Sequence, residues 1–190
     1  MSNKPLLIGL TGYAGSGKDT VRSILEHKHD LDGLAFADPI RDMLTALLES
    51  CGVKTEWMTE RHLKEEPIPE IGASYRQMAQ QLGTEWGRAI NPDFWLKIAA
   101  AKIAMYRGFE SPGIVISDCR FPNEAQWIKD QGGVIWHILR PGVDPVRAHA
   151  SEALIKDLPY DYVIDNHGSI DDLIHATACA LDYTHKELAA

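Results

Sequence analysis

The segment LLIGLTGYAGSGKDT, residues 6–20, joins an apolar run to a glycine-rich turn and a lysine. Its pattern Gly12-x4-Gly17-Lys18 is that of a nucleotide phosphate loop, in which backbone N–H groups surround the phosphates and the lysine reaches the terminal ones. A helix after Lys18 would direct the positive end of its dipole at the same anion. The alternative, a glycine-rich surface turn, is disfavoured by the apolar strand before it and the helix after it. The segment therefore predicts a nucleoside triphosphate site.

One position of this phosphate loop (residues 12–20) departs from the pattern. Asp19 stands where a serine or threonine normally offers a hydroxyl to magnesium, and Thr20 follows one residue later. The pattern alone leaves open which hydroxyl meets the metal. The loop residues that we expect to bind ATP are Gly12, Ala14, Gly15, Ser16, Gly17, Lys18, Asp19 and Thr20.

The composition limits the class of protein. With 190 residues, 45% hydrophobic and 24% charged, the chain suits one compact domain with its own core. A net charge of -8 and a pI near 5.4 argue against an extended nucleic-acid-binding surface. The absence of a long apolar run and of a signal-peptide pattern predicts a soluble, cytoplasmic protein. Widely spaced cysteines predict reduced thiols that are buried as small apolar residues, at Cys51, Cys119 and Cys179.

Short apolar runs, each followed by a helical pattern, recur along the chain. The runs cover residues 6–10, 34–37, 113–117, 134–139 and 160–164. This alternation predicts an α/β fold of three layers, a five-stranded parallel sheet flanked by helices. We expect a single domain over residues 1–190, with a helical insertion at about 39–108 between the second and third strands.

Charged residues follow two of the predicted strands. Asp118 ends the third strand, the usual place of the carboxylate that holds magnesium in phosphate-loop enzymes. Arg120 comes two residues later and can reach the same crevice, and Glu124 in the next helix favours the helix dipole. Asp38, after the second strand, has two compatible interpretations. It is an N-cap, or it is a carboxylate at the edge of the sheet where ligands bind.

The predicted insertion contains a cluster of polar and aromatic residues. Residues 53–73 show no clear period and predict an irregular, mobile segment. Ser74-x-x-Gln77 then starts a helix as a capping box, and the segment GTEWGR, residues 83–88, is expected to break that helix. Its carboxylate, aromatic ring and guanidinium suit a base and a phosphate. The alternative is a turn between helices with Trp86 packed in the core.

The last third of the chain predicts a lid and a terminal helix. Arg140 ends the fourth strand, and a proline- and glycine-containing segment with Arg147 predicts a lid over about residues 140–158 that closes on the phosphates. The alternative for Arg147 is a solvated helix residue. Farther on, Asn166-His167-Gly168 leads to Ser169-x-x-Asp172, a capping box for the terminal helix.

Taken together, these segments resemble the deoxynucleoside monophosphate kinases of tailed bacteriophages. The resemblance rests on GYAGSGKDT, FADPIRDML, YRQMAQQLGTEWGR with NPDFW, VISDCRFPNEA and YDYVIDNHGSIDDL, and it runs from about residue 6 to residue 173. The segments SDCRFPNEA and LGTEWGR carry most of its specificity. The ending DYVIDNHGSIDDL is also similar to dephospho-coenzyme A kinase, and SD-x-R with VIDNHG is similar to animal phosphomevalonate kinase.

The resemblance implies a P-loop kinase that transfers the γ-phosphoryl group of ATP, with Mg²⁺, to a deoxynucleoside 5′-monophosphate for phage DNA precursor synthesis. The closest alternative is a kinase of another phosphorylated small molecule, and a second is an ATP-binding regulatory module without catalysis. The implied partners are ATP and a deoxynucleoside monophosphate, with no nucleic acid and no membrane, in the host cytoplasm if the protein is phage-encoded. The sequence leaves open which bases are accepted and whether the chain forms a homodimer.

The resemblance also implies roles for individual residues, and Asp19 fits it, because monophosphate kinases often carry a residue without a hydroxyl there, followed by threonine. The catalytic candidates are Lys18, Asp38, Asp118, Arg120, Arg140 and Arg147. Magnesium would be positioned by Thr20 and Asp118. The phosphate loop would bind ATP together with Asn166, Gly168 and Ser169. The acceptor candidates are Asp38, Arg41, Arg76, Gln80, Gln81, Glu85, Trp86, Arg88, Arg120 and Glu124.

Overall fold

A computed structural model describes residues 5–106, 111–143 and 154–189 of the chain. It contains the strands β1 (Leu6–Thr11), β2 (Asp32–Leu34), β3 (Gly113–Ile116), β4 (Val134–Leu139) and β5 (Tyr162–Asp165). They form one sheet in the order β2-β3-β1-β4-β5, and each neighbouring pair is parallel. The predicted fold class, a five-stranded parallel sheet flanked by helices, is confirmed.

Helices connect and follow the strands. They are α1 (Lys18–His29), α2 (Asp38–Ser50), α3 (Glu56–Thr59), α4 (Tyr75–Gln80), α5 (Arg88–Ile90), α6 (Phe94–Tyr106), α7 (Pro122–Asp130) and α8 (Ile170–Ala189). A 3₁₀ turn covers Leu63–Glu65, and a π-helical segment covers Gln81–Gly87. No helix in the described part of the chain has both the length and the apolar character needed to cross a membrane.

The chain divides into two compact units. The first comprises residues 1–35 and 102–190, and it contains the sheet. Its central strand β1 is apolar and buried on both faces, as expected for the middle of a parallel sheet. In the core beside it, Trp136 of β4 is fully buried and donates its Nε1–H to Thr184 Oγ1 of α8 at 3.1 Å. The indole is therefore buried without an unsatisfied polar atom.

The second unit comprises residues 36–101 and overlaps the predicted insertion. Its core contains Leu48, Val53 and Ile68, with Met78 of α4 packed against them. The segment 53–73 is more ordered than its sequence predicts, because it forms α3 and the 3₁₀ turn and buries Ile68 completely. Short turns of this kind bury single apolar residues, so they produce no regular spacing of apolar residues in the sequence.

Other sequence predictions differ from the structure in detail. Strand β2 ends at Leu34 instead of continuing to residue 37, because its partner β3 ends where Leu34 pairs with Ile116. Cys119 is buried as predicted, but the prediction was wrong for the other two cysteines, which are exposed at the end of α2 and on the outer side of α8 (Cys51 and Cys179).

The segment GTEWGR does not break the helix, contrary to the prediction. The chain continues from α4 through the π-helical segment into α5, and Gly87 has helical dihedral angles, φ -63° and ψ -48°. A side chain at Gly87 would meet the Trp95 ring, since a Cβ there would lie 2.5 Å from Cζ2. This glycine is therefore needed for a close ring contact and not for a turn.

Candidate active site

The phosphate loop has the backbone that its glycines predict. Gly12, Gly15 and Gly17 have φ values of 142°, 83° and 105°, which other residues rarely adopt. A Cβ on Gly12 would lie 2.5 Å from the carbonyl oxygen of Ile138 in β4 and 2.8 Å from Ser16 Oγ. Gly17 precedes α1, so the N–H groups of the first helical turn, which have no acceptor within the helix, follow the loop directly. This is the arrangement that binds a phosphate.

Lys18 is folded over this loop. Its Nζ donates hydrogen bonds to the carbonyl oxygens of Gly12 at 2.7 Å and Tyr13 at 2.8 Å, and the residue is buried. Asp19 is exposed, whereas Thr20 in the first turn of α1 is half-buried. The ammonium group is thus held in the loop by the protein itself.

Asn166 connects the end of β5 to the phosphate loop. Its Nδ2 donates to the carbonyl oxygen of Ser16 at 2.8 Å, and its backbone N–H donates to Leu139 at 2.7 Å. A Cβ on Gly17 would clash with the Asn166 amide, which gives a second reason for glycine there. The sequence named Asn166 as an ATP-binding candidate, and the structure adds this contact with the loop.

The predicted capping box at the start of α8 is present. Asp172 accepts hydrogen bonds from Ser169 N at 2.8 Å and Ser169 Oγ at 2.7 Å, and its own N–H donates to Ser169 Oγ at 3.2 Å. These bonds lower the pKa of the Asp172 carboxyl. They fix the segment that contains Gly168 and Ser169, two of the ATP-binding candidates.

Asp118 lies at the carboxyl edge of the sheet, the edge at which the strands end and the phosphate loop begins. Strand β3 pairs with β1 through Ile116 and Gly9. Backbone hydrogen bonds fix the residues on either side of Asp118. Ser117 N donates to the carbonyl oxygen of Leu34 at 3.0 Å, and Cys119 N donates to that of Leu10 at 3.1 Å. Its carboxylate therefore follows the strand next to the loop, as the sequence predicted.

Glu124 has a local structural role. Its buried Oε2 accepts hydrogen bonds from the backbone N–H groups of Arg120 at 2.9 Å and Phe121 at 3.1 Å, which shapes the connection from β3 to α7. Burial raises the pKa of the Cys119 thiol well above its usual range, and the carboxylates of Glu124 and Asp118 add to this effect. The acceptor roles of Glu124 and Arg120 stay predictions.

Arg140, the first residue of the predicted lid, makes a long hydrogen bond to the phosphate loop. Its Nη1 donates to the carbonyl oxygen of Gly15 at 3.5 Å. Arg147 and most of the predicted lid lie outside the described residues, so both stay predictions.

The acceptor candidates of the second unit have partners within that unit. Asp38 is the first residue of α2, and its carboxylate accepts from Arg41 Nη1 at 2.8 Å. The N-cap interpretation of Asp38 was therefore wrong, because Ala37 precedes the helix and no side chain caps it.

Arg76 forms an ion pair with Glu65. Burial raises the pKa of the Tyr75 hydroxyl above its usual value, and the positive charges of Arg41 and Arg76 reduce this rise.

Arg88 closes the segment GTEWGR. Its Nη1 donates to the carbonyl oxygen of Pro92 at 3.1 Å. This bond links α5 to the start of α6. The guanidinium therefore sits between two helices of the second unit.

A groove of about 620 Å³ between α2 and α4 collects several of the acceptor candidates. This α2–α4 groove is lined by Leu44, Leu47, Met78, Gln81, Leu82, Glu85 and Trp86. The structure thus brings Gln81, Glu85 and Trp86 together, whereas Gln80 does not line the groove. Sequence reasoning missed the apolar wall from α2 and Met78, because apolar side chains that recur at helical spacing usually belong to a core.

Trp86 and Trp95 have different environments. Trp86 is 45% exposed, so the interpretation of Trp86 as a core residue was wrong. Trp95 is buried and donates its Nε1–H to the carbonyl oxygen of Gly83 at 2.7 Å. The Trp86 ring meets Phe94 edge-on, with centroids 5.5 Å apart. Nearly half of the Trp86 side chain therefore remains exposed beside this ring contact.

Comparison with known proteins gives the family. The family model described as deoxynucleotide monophosphate kinase matches residues 59–176. A putative deoxynucleotide monophosphate kinase of Acanthamoeba polyphaga mimivirus is 32% identical over 93% of this chain and 96% of its own length. A deoxynucleotide monophosphate kinase of Escherichia phage RB69 is 29% identical over 53% of this chain and 41% of its own length.

A solved structure supports the fold alone. The crystal structure of TT1252 from Thermus thermophilus has a TM-score of 0.53 at 21% sequence identity, and the match covers 94% of this chain and 97% of that chain. The resemblance that the sequence motifs suggested is confirmed by the family model and by the mimivirus relative. The chain belongs to the deoxynucleotide monophosphate kinase family.

Proposed function

We propose that this chain transfers the γ-phosphoryl group of ATP to a deoxynucleoside 5′-monophosphate. An oxygen of the acceptor phosphate attacks the γ-phosphorus, the bond to the β–γ bridging oxygen breaks, and a deoxynucleoside diphosphate and ADP leave. The observation that carries the proposal is the phosphate loop with Lys18 folded over it, in a chain that belongs to this family. Its products would supply DNA synthesis, in the cytoplasm of the host if the gene is viral.

Positioning and charge neutralisation supply most of the catalysis in such a transfer. The loop amides and Lys18 hold the β- and γ-phosphates. Because the Lys18 ammonium already rests on the carbonyl oxygens of Gly12 and Tyr13, it needs no large rearrangement to meet a phosphate oxygen. Arg140, whose Nη1 donates to the carbonyl oxygen of Gly15, is assigned to neutralise charge on the transferred phosphates, and Arg147 is assigned the same role from the sequence alone.

Magnesium fits the chemistry of the residues at the carboxyl edge of the sheet. The Thr20 hydroxyl and the Asp118 carboxylate are oxygen ligands of the kind that this cation prefers. Within the described ranges, no group of three or more His, Cys, Asp or Glu side chains is placed to hold a metal ion. Mg²⁺ usually takes one or two carboxylate ligands from a protein and completes its shell with phosphate and water oxygens. When bound, it neutralises charge on the transferred phosphates.

The acceptor phosphate is assigned to arginines of the second unit. A guanidinium binds a phosphate by two parallel hydrogen bonds. Arg41 pairs with Asp38 and Arg76 with Glu65, and both guanidinium groups are near enough to Tyr75 to affect its pKa. Because these pairs are partly exposed, exchange of a carboxylate for a phosphate costs little.

The α2–α4 groove is assigned to the base of the acceptor. The exposed ring of Trp86 offers a surface for stacking, which contributes about 1–3 kcal/mol per base. Gln81 and Glu85 line the same groove and can hydrogen-bond to the polar edge of a base. An apolar wall with a few polar groups is the usual composition of a small-molecule site.

A panel of acceptors tests this function. The protein is assayed with ATP and Mg²⁺ on dAMP, dGMP, dCMP, dTMP, their ribose counterparts, phosphomevalonate and dephospho-coenzyme A. We expect phosphorylation of at least one deoxynucleoside monophosphate, and we expect Trp86→Ala to raise the KM of that acceptor more than the KM of ATP. Activity on phosphomevalonate or dephospho-coenzyme A without activity on any nucleotide would reject the proposal.

A further inference from the structure

Buried polar atoms without a hydrogen-bond partner are concentrated around the phosphate loop. Among the described residues, these side-chain atoms are Thr11 Oγ1, Ser16 Oγ and His137 Nδ1. Buried polar groups are normally paired, and leaving one unpaired costs about 1–3 kcal/mol. These three atoms lie close together in the fold, at the end of β1, in the phosphate loop and in the adjacent strand β4. Such a concentration indicates a functional role for these side chains.

Thr11 and His137 stand side by side. They are registered partners in the parallel pair of β1 and β4, so their side chains project from the same face of strands about 4.8 Å apart. The His137 ring packs on Tyr160, with centroids 5.4 Å apart and planes inclined by 35°. The Thr11 hydroxyl can donate to a neutral imidazole nitrogen or accept from a protonated one. In the free protein neither Thr11 Oγ1 nor His137 Nδ1 has a hydrogen-bond partner, so the two atoms are not bonded to each other there.

The positive charge of Lys18 affects the pKa of His137. Burial and the Lys18 ammonium both lower the pKa of the His137 imidazole. Among the described residues, the titratable Tyr160 ring also contacts His137. The carboxylates of Glu124 and Asp118, in the connection from β3 to α7, raise the pKa of Cys119. Burial and the charge of Lys18 both favour the neutral imidazole of His137 in the free protein.

We propose that His137 is a positioning residue of the donor site, which takes up a proton when the polyphosphate of ATP binds at Lys18. The inference rests on the proposed function, because it requires ATP in the phosphate loop. The polyphosphate offsets the charge of Lys18, which disfavours the imidazolium in the free protein, so protonation of His137 becomes more favourable. The protonated Nδ1 can then donate to the hydroxyl of Thr11, its register partner, and the second positive charge adds to that of Lys18 in neutralising the polyphosphate.

The coupling has a defined sign. If the pKa of His137 is higher in the complex than in the free protein, ATP binds more tightly as the pH falls. The gain is complete below the pKa of the free protein and is lost as the pH rises through the pKa of the complex. A nearby opposite charge shifts a pKa by about 1–3 units, and one unit corresponds to about a tenfold gain in affinity.

Calorimetry of MgATP binding in buffers of different ionisation enthalpy measures the proton uptake directly, without any acceptor. We expect uptake in the natural protein and in the control His185→Asn, whose histidine is exposed on α8. His137→Asn should lose that uptake, and Thr11→Val should reduce it while Thr11→Ser retains it. Equal uptake in His137→Asn and the natural protein would overturn the inference.

Nuclear magnetic resonance of the natural protein gives a test that needs no substituted chain to fold. The His137 ring signal is titrated with pH in the absence and in the presence of MgATP. We expect the pKa of His137 to rise by about one unit or more on binding. MgATP binding with an unchanged pKa would reject this inference alone, whereas a protein that binds no MgATP would reject the donor site and this inference with it.

Discussion

Replacing Asn166 by alanine should weaken ATP binding although Asn166 lies far from the phosphate loop in sequence. The change removes the hydrogen bond from Nδ2 to the carbonyl oxygen of Ser16, 2.8 Å long, and keeps the backbone bond to Leu139. One such bond contributes about 0.5–1.5 kcal/mol. If the whole loss falls on the ATP-binding form of the loop, the KM of ATP rises about 2- to 12-fold.

A double-mutant cycle with Gly17 sharpens this prediction. Gly17→Ala places a Cβ against the Asn166 amide and also occupies a φ of 105°, which costs about 1–3 kcal/mol for a residue other than glycine. The clash disappears in the Asn166→Ala background, whereas the backbone strain remains. Gly17→Ala should therefore raise the KM of ATP less in that background than in the natural protein.

The assay is steady-state kinetics at a saturating concentration of the acceptor, with thermal unfolding measured in parallel. Asn91→Ala is the matched control, because Asn91 Oδ1 accepts a hydrogen bond from Asp93 N at 2.8 Å within residues 36–101. It should lower the melting temperature and leave the KM of ATP unchanged. An unchanged KM of ATP in Asn166→Ala, or strictly additive effects in the cycle, would refute the coupling of Asn166 to the loop.

Other predictions follow from single contacts. Lys18→Ala should lower kcat at least about 10²-fold, the loss expected for one charge-stabilising group, and near-normal turnover would contradict its role. Gly87→Ala should lower the melting temperature, because the added methyl meets the Trp95 ring at 2.5 Å and overpacking costs about 1–3 kcal/mol, more than the gain of about 1 kcal/mol in helix propensity. A raised melting temperature would refute that packing. A thiol reagent should modify the two exposed cysteines of the folded protein at once and Cys119 only after unfolding, and a third fast reaction would contradict its burial.

Local features of the site could be predicted from the sequence. The phosphate loop needs nine consecutive residues whose spacing sets its own backbone, so residues 12–20 were sufficient. Asp118 could be placed because the carboxyl ends of parallel strands meet at one edge of a sheet. The capping box at Ser169 is likewise a contact within one helical turn.

Contacts between distant residues could not be predicted. Asn166 and Ser16 are 150 positions apart, so no spacing rule joins them. The π-helical segment was missed because Gly83 and Gly87 resemble helix breakers, whereas a tertiary contact with Trp95 determines their conformation. His137 was missed for a similar reason, since an isolated histidine in an apolar strand gives no signal until Thr11 is known to lie beside it.

Transfer of label from ATP is the most direct test of the proposed reaction. ATP that carries an isotope in its γ-phosphate is mixed with Mg²⁺, the protein and each deoxynucleoside monophosphate, and the products are separated. We predict that the label appears in the β-phosphate of a deoxynucleoside diphosphate, in equal amount to the ADP formed, and that Lys18→Ala slows the transfer at least about 10²-fold. Release of the label only as inorganic phosphate, or its retention in ATP with every acceptor, would contradict the proposed kinase.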